Sequence, residues 1–257
     1  LVAIPTTAGT GSEVTMFTII TNTKTDVKML IGSPFVIPEV AIVDPLLTLS
    51  CPQDLTAAVG IDALTHAIEA YVSVKAQPMS DIFCLSAIEL ISGNLRQAWA
   101  NGNNVEARAK TMMGSLQAGI GFSNSSVALV HGMSRPVGAY FHVPHGASNA
   151  ALLGVVTEFS LAGNPARYGR IAEAMGEDVT GLTDMGAAEV AAQAIQSLIR
   201  DIEIHSLKEL GVDKEKLEEL APAMADAAIA SGSPGNNPRQ PTKEEIIEIY
   251  KETYEQP

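Results

Sequence analysis

The order of apolar and polar residues divides the chain into a short strand-rich segment and a long helical one. Up to about residue 48 the apolar runs are short, β-branched and separated by turn-forming residues, which is typical of strands. The strands are expected at 1–4, 15–21, 27–31 and 36–43, with a turn at 22–26.

From about residue 49, apolar residues recur every three or four positions, which predicts helices. The predicted helical segments are 53–73, 79–100, 105–121, 147–162, 165–175, 184–205, 213–230 and 243–255. The pattern therefore predicts a mainly α fold with a small β-rich part at its start.

Composition removes several classes of function. The chain has 257 residues, of which 46% are hydrophobic and 18% charged, so it can bury a sizeable core. Its net charge of -13 argues against a nucleic-acid-binding surface. No apolar run approaches the roughly 18 residues of a membrane span. The two cysteines, Cys51 and Cys84, form neither a disulfide framework nor a CxxC pattern, so a reducing cytoplasm is expected.

One predicted helix carries two potential metal ligands. Asp62 and His66 stand four residues apart in the segment 60–71, so both side chains project from the same helical face. A carboxylate oxygen and an imidazole nitrogen one turn apart can bind a single metal ion. At this spacing the two residues are more often solvated neighbours, so a metal site requires further ligands.

Two other histidines lie near each other in the sequence. His131 ends the apolar run 127–130, a position more typical of a core histidine bonded to a carbonyl. His145 follows Pro144 at the start of the helix 147–162, where it can point into a cleft or cap the helix. Both therefore have a structural alternative to metal binding.

Together, Asp62, His66, His131 and His145 would supply one oxygen and three nitrogen ligands. That set suits Fe²⁺ or Zn²⁺, whereas Ca²⁺ and Mg²⁺ prefer oxygen ligands. Glu69, which lies about one turn beyond His66, is either a partner of these ligands or a surface charge. A metal at this site would act as a Lewis acid toward a substrate oxygen.

A polar, glycine-containing loop follows the first predicted strand, at residues 5–13. Gly9 and Gly11 would let the backbone approach a ligand closely, and such a turn can hold a phosphate. Its side chains include three threonine hydroxyls, those of Thr6, Thr7 and Thr10. The loop is neither GxGxxG nor a P-loop, so an ordinary polar loop is the alternative.

These segments resemble the iron-containing (group III, metal-dependent) alcohol dehydrogenases. The matching segments, in the family's order, are 5–15, 44–45, 60–71, 131–133 and 144–146. The resemblance implies an α/β dinucleotide-binding domain, an all-helical metal-binding domain, and an active site between them. The family's first third, with its glycine-rich pyrophosphate loop, is absent from the sequence. Residues 1–48 are therefore expected to be a remnant of the first domain, and residues 49–257 the all-helical domain.

The resemblance also assigns roles to individual residues. The catalytic metal ligands fall on Asp62, His66, His131 and His145. Cofactor contacts fall on five residues of the strand-rich segment, which are Thr6, Thr7, Gly9, Thr10 and Lys28. The substrate pocket falls on Phe17 and Phe122, for which simple core packing is the alternative.

The implied protein is an oxidoreductase that interconverts a small alcohol and its aldehyde or ketone, using Fe²⁺ or Zn²⁺ and NAD or NADP. It is expected to be a cytoplasmic homo-oligomer, a dimer or larger, with no nucleic-acid or membrane partner. Two alternatives stay open: a catalytically silent helical module for metal binding or assembly, and a metal-free reductase relative.

One residue departs from the family's pattern. Arg135 stands where several relatives have a histidine that lies near the nicotinamide. An arginine does not titrate near neutral pH, so a proton relay here would need a threonine, a ribose hydroxyl and water, or His142. Arg135 could instead pair with a cofactor phosphate or with an acidic group of the substrate.

Overall fold

The structure is a computed structural model that describes residues 1–22 and 27–256, without the side chains of residues 19 and 21–30. Four short strands open the chain: β1 (Val2–Ala3), β2 (Phe17–Asn22), β3 (Val27–Gly32) and β4 (Val40–Ala41). Strand β1 pairs in parallel with β4, and β2 pairs antiparallel with β3. Residues 23–26 of the predicted turn lie outside the described residues.

The rest of the described chain is helical, as the periodicity predicts. Its helices are α1 (Gln53–Val72), α2 (Pro78–Ala100), α3 (Val105–Ser125), α4 (Leu129–Phe141), α5 (His145–Ser160), α6 (Pro165–Ala174), α7 (Asp184–Asp201), α8 (Lys214–Ala230) and α9 (Lys243–Glu252). This confirms the mainly α fold with a short β-rich remnant before it. None of the described helices has the length and apolar character to cross a lipid bilayer.

Helix α1 is the centre of the helical part. Its residues from Gly60 to Val72 are all buried, and it packs against α2, α3, α5 and α6. A helix that is buried on every side belongs to the interior of a domain. Any polar side chain on this stretch therefore needs partners inside the protein.

Helix α4 is missing from the sequence prediction, which treats the run 127–130 as ending at His131. Gly132 and Pro136 are helix breakers, and Pro136 lies inside α4, where it lacks the N–H that would bond the carbonyl of Gly132. The helix forms because Met133 and Val137 are completely buried, so tertiary packing overrides local propensity.

Helix α5 starts earlier than predicted. The sequence places its start at Ala147, whereas the helix begins at His145, directly after Pro144. His145 is thus the first residue of the helix and not part of the preceding loop.

Candidate metal centre

Three helices bring the four predicted ligands together. Helix α1 contributes Asp62 and His66, α4 contributes His131, and α5 contributes His145. One potential ligand atom from each side chain lies within 4.8 Å of the others. From Asp62 Oδ1, the distances are 4.0 Å to His66 Nδ1, 3.6 Å to His131 Nε2 and 4.0 Å to His145 Nε2.

The cluster is closed on one side and open on the other. Asp62, His66 and His131 are each at most 5% exposed, whereas the side chain of His145 is 51% exposed. The His66 ring is stacked against Phe122, with 4.3 Å between ring centroids. The protein interior therefore surrounds three of the donors, and the fourth faces the accessible side.

Glu69 is a buried partner of His131 and not a surface charge. Its Oε2 lies 2.6 Å from His131 Nδ1 and accepts a 3.0 Å hydrogen bond from the Ala128 N–H. Its Oε1 accepts a 2.5 Å bond from the Val130 N–H. The carboxylate thus binds the first N–H groups of α4 and orients the His131 ring so that Nε2 points at the cluster.

Asn149 contacts the cluster and is absent from the residues that the sequence predicts for the site. It is completely buried, and its Nδ2 donates a 2.6 Å hydrogen bond to Asp62 Oδ1. The same nitrogen lies 3.1 Å from His131 Nε2 and 3.2 Å from His145 Nε2. Because Asn149 stands four residues after His145 on α5, the spacing that joins Asp62 to His66 could also have identified it.

The charges of the cluster are strongly coupled. Burial would raise the pKa of the Asp62 carboxyl, but the neighbouring imidazoles, above all His66, hold it well below its usual range. Burial lowers the pKa of His66 to about 3 despite the attraction of Asp62. Burial would also lower the pKa of His131, but Glu69 and Asp62 raise it to about 9.

The donor set fits a divalent transition metal. One carboxylate and three imidazoles are ligands typical of Fe²⁺ and Zn²⁺. His66 Nδ1 is buried and has no hydrogen-bond partner among the described residues, although buried polar atoms are nearly always paired. A cation bonded to this nitrogen would supply the missing partner.

A cavity of about 510 Å³ adjoins the cluster. All four candidate ligands contribute to its wall, together with residues of the loop after β1 and of the loop between α8 and α9. Phe17 and Phe122 also line it and stack with 6.4 Å between their ring centroids. A small molecule in this cavity would therefore contact both an apolar surface and the candidate metal ligands.

Of the predicted cofactor residues whose side chains the structure describes, only Thr10 lines this cavity. Thr6 and Thr7 do not contribute to its wall in the described part of the chain. Lys28 lies in β3, and its side chain is outside the described residues.

The two loop glycines let the loop backbone pack closely on the helices. A Cβ at Gly9 would lie 2.6 Å from Val59 Cβ of α1, and one at Gly11 would lie 2.6 Å from Gly119 Cα of α3. Gly11 also has a φ of +61°, which favours glycine. The loop is thus held directly on the helices that carry and flank the cluster.

Several cavity residues lie outside the motif segments that carry the resemblance to the family. They are Lys75 after α1, Ser126 and Val127 before α4, and Ser231, Gly232, Ser233 and Asn236 after α8. Loops bring them together, and helical spacing does not predict contacts between loops.

Comparison with known proteins agrees with this architecture. Residues 56–254 match the model of the Fe-containing alcohol dehydrogenase family, C-terminal, and residues 1–45 match that of iron-containing alcohol dehydrogenase. The fold and site are those of a helical protein with a candidate metal centre beside a cavity. The chain belongs to the iron-containing alcohol dehydrogenase family.

Individual relatives cover almost the whole chain. The chain is 46% identical to 1,3-propanediol dehydrogenase of Citrobacter freundii over 255 residues. The matched region covers 99% of the chain and 65% of that protein. The chain is 41% identical to NAD-dependent methanol dehydrogenase of Bacillus methanolicus, over 98% of the chain and 65% of that protein. The crystal structure of a 1,3-propanediol oxidoreductase matches with a TM-score of 0.95 and 45% identity, over 98% of the chain and 65% of that structure. The chain thus spans about two-thirds of the length of these relatives.

Proposed function

We propose that the protein interconverts a small alcohol and its aldehyde or ketone by hydride transfer with NAD or NADP, assisted by a divalent metal. The observation that carries this proposal is the convergence of Asp62, His66, His131 and His145 at the wall of an open cavity. Two relatives support the proposal by their names, which are 1,3-propanediol dehydrogenase and NAD-dependent methanol dehydrogenase.

The four clustered side chains would hold Fe²⁺ or Zn²⁺, which would act there as a Lewis acid toward the substrate oxygen. Glu69 holds the His131 ring in place, and Asn149 holds the Asp62 carboxylate. These hydrogen bonds fix the orientation of two candidate ligands, which limits the reorganisation needed at the reaction step.

The cavity wall orients the substrate. Phe17 and Phe122 present an apolar surface beside His66 and would keep water from the reacting carbon. A nicotinamide cofactor would supply the hydride chemistry. The predicted contacts of this cofactor remain Thr6, Thr7, Gly9, Thr10 and Lys28. Thr10 is the best placed of them because it lines the cavity.

The donor cluster favours this function over the two alternatives. A metal-free reductase would not need an Asp-His₃ cluster in which the described part of the chain leaves the buried His66 Nδ1 unpaired. A silent metal-binding module has no use for an open cavity lined by the candidate ligands.

The test is an assay of the full-length protein, purified without oxygen, with NAD and NADP and short alcohols and aldehydes. Activity should disappear when a chelator removes the metal and return when Fe²⁺ or Zn²⁺ is added back. Undiminished activity in metal-free protein would support the metal-free relative. Metal binding without any affinity for NAD or NADP in calorimetry would support the silent module.

Three further expectations stay predictions. These are the domain boundary near residue 48, the homo-oligomeric state and the cytoplasmic location. Both cysteines are free thiols, which supports a reducing environment.

A further inference from the structure

The candidate active-site cavity has the opposite charge character to the chain. The chain carries 29 acidic and 16 basic residues, yet among the described side chains the charged residues on the cavity wall, apart from the histidines, are Asp62, Lys75 and Arg135. Asp62 belongs to the metal cluster, where Asn149 and the imidazoles surround it. The two cations therefore dominate the remaining wall of the cavity.

Most N–H donors of the Arg135 guanidinium have no partner among the described residues. Its Nη1 donates a 3.1 Å hydrogen bond to Ser233 Oγ, and no described carboxylate lies within ion-pair distance of the guanidinium. A guanidinium has five N–H donors in a planar fork, so most of them are available to a ligand. Lys75 likewise forms no ion pair with the described residues.

The surroundings of Arg135 make an anionic partner favourable. The side chain is half-buried, and burial lowers the pKa of its guanidinium, which Glu69 only partly offsets. Both oxygens of Glu69 already accept hydrogen bonds from His131, Ala128 and Val130. A partly desolvated cation whose nearest carboxylate has other partners gains from an incoming anion.

Arg135 is also well placed relative to the metal cluster. It stands four residues after His131 on α4, so the two side chains leave the same helical face, with Cβ atoms about 5–6 Å apart. Ser233, which anchors Nη1, lines the same cavity. One short molecule can therefore reach both the His131 side of the cluster and the guanidinium.

We propose that the substrate is a short aldehyde, or the corresponding alcohol, that carries an anionic group, and that Arg135 binds this group with help from Lys75. This inference rests on the proposed function, because it names the substrate class of the same site. The anion can be a carboxylate, a sulfonate or a phosphonate, all of which accept hydrogen bonds from a guanidinium fork. Arg135 is here a determinant of specificity.

The rival role for Arg135 is a contact with a phosphate of the cofactor. The two roles differ in the kinetic constant that they affect. Loss of a substrate contact raises the KM for the anionic aldehyde, whereas loss of a cofactor contact raises the KM for NADH. A comparison of charged and uncharged aldehydes therefore separates them.

The experiment measures kcat/KM for full-length, metal-loaded protein with NADH and matched aldehydes. The anionic set is 4-oxobutanoate, sulfoacetaldehyde and phosphonoacetaldehyde; butanal and 4-oxobutanamide are the uncharged references. The ratio of the best anionic aldehyde to the uncharged references should be at least about 10, because hydrogen bonds to charged groups are the stronger class. The three anions show which headgroup the site prefers.

Variants then assign the preference to its residues. Arg135→Gln should lower the ratio about 10- to 100-fold, with an unchanged KM for NADH, and Arg135→Lys should restore part of it. Lys75→Gln, a change at an exposed position, should lower the ratio by a smaller factor. Arg200→Gln is the matched control, because among the described residues Arg200 bonds only Ser197 on its own helix.

The outcomes separate this inference from the proposed function. If no aldehyde is reduced, both fail. If uncharged aldehydes are reduced as well as anionic ones and neither Arg135→Gln nor Lys75→Gln changes the ratio, the anionic substrate is wrong and the proposed function stands. A rise in the KM for NADH alone in Arg135→Gln assigns the guanidinium to the cofactor and also overturns the inference.

Discussion

Glu69 Oε2 lies 2.6 Å from His131 Nδ1, and the same carboxylate accepts the N–H groups of Ala128 and Val130 at the start of α4. One buried side chain of α1 therefore both orients a candidate metal ligand and caps the helix that carries it. Helix α4 has no side-chain cap of its own at Ala128. The position of His131 thus depends on a residue 62 positions away in the chain.

Replacing Glu69 by Gln should weaken metal binding without emptying the site. The amide keeps the size of the side chain but loses the charge that orients the His131 ring and stabilises the start of α4. Loss of such a partner lowers metal affinity about 10- to 100-fold. Competition with a chelator measures the change, and Glu158→Gln, an exposed position on α5, is the control. Equal metal affinity in Glu69→Gln and wild type would show that this contact does not support the site.

Asn149→Ala should also lower metal affinity, by about 10-fold, since Nδ2 is the donor that fixes Asp62 Oδ1. Asn124→Ala is the control, because the side chain of Asn124 bonds only the Ile120 carbonyl within α3 in the part of the chain that the structure describes. The midpoint of thermal unfolding should be measured for metal-free protein as well. If Asn149→Ala lowers stability but leaves metal affinity intact, its role is packing and not support of the ligands.

Gly11→Ala should destabilise the protein by at least about 2 kcal/mol, because it adds both left-handed backbone strain and overpacking. The new Cβ would lie 2.6 Å from Gly119 Cα, a backbone atom that cannot turn aside. Gly211→Ala measures the backbone strain alone, since Gly211 also has a positive φ but has open space around it. This variant should lose only about 1 kcal/mol of its free energy of unfolding. Urea unfolding measures both, and equal losses would contradict the packing role of Gly11.

The burial of the Glu13 carboxyl should make the stability of the protein depend on pH. Glu13 is 3% exposed, its Oε2 has no hydrogen-bond partner, and burial raises the pKa of its carboxyl above the ordinary value. The folded state therefore holds this proton more tightly than the unfolded state does. Its contribution to stability is fully present below the unfolded pKa and is lost as pH rises through the folded pKa.

Glu13→Gln should remove this loss, so the variant should gain stability relative to wild type at pH 7.5 and gain less at pH 4.5. Urea unfolding at the two pH values tests it, with the exposed Glu89→Gln as the control. A difference between Glu13→Gln and wild type that does not change with pH would show that the folded and unfolded states bind this proton equally, so that burial does not raise the pKa of Glu13.

Much of the fold could be predicted because most helices show their periodicity locally. Helix α4 could not, since Gly132, Pro136 and Gly138 are local signals against a helix. What holds α4 is distant: the Glu69 carboxylate at its start, and the Tyr250 hydroxyl, which donates a 2.7 Å bond to the Met133 carbonyl. Those contacts exist only after the chain has folded.

The residues of the site also differ in how far the sequence alone reveals them. Asp62 and His66 share one helix, so spacing indicated their common face before the fold was known. His131 and His145 are indicated by their sequence context and by the family's motifs, and Asn149 by its spacing of four residues from His145 once that histidine is placed in the site. Lys75 and Ser233 reach the cavity from loops about 160 residues apart in the chain, which no pattern in a single sequence connects.

We propose that a metal held by Asp62, His66, His131 and His145 makes the hydride transfer possible. The most direct measurement is kcat/KM of the full-length Asp62→Ala variant with an aldehyde, NADH and excess Fe²⁺ or Zn²⁺. It should fall about 1,000-fold or more below wild type, because Lewis-acid stabilisation contributes several kcal/mol. Wild-type activity in that variant would contradict the account.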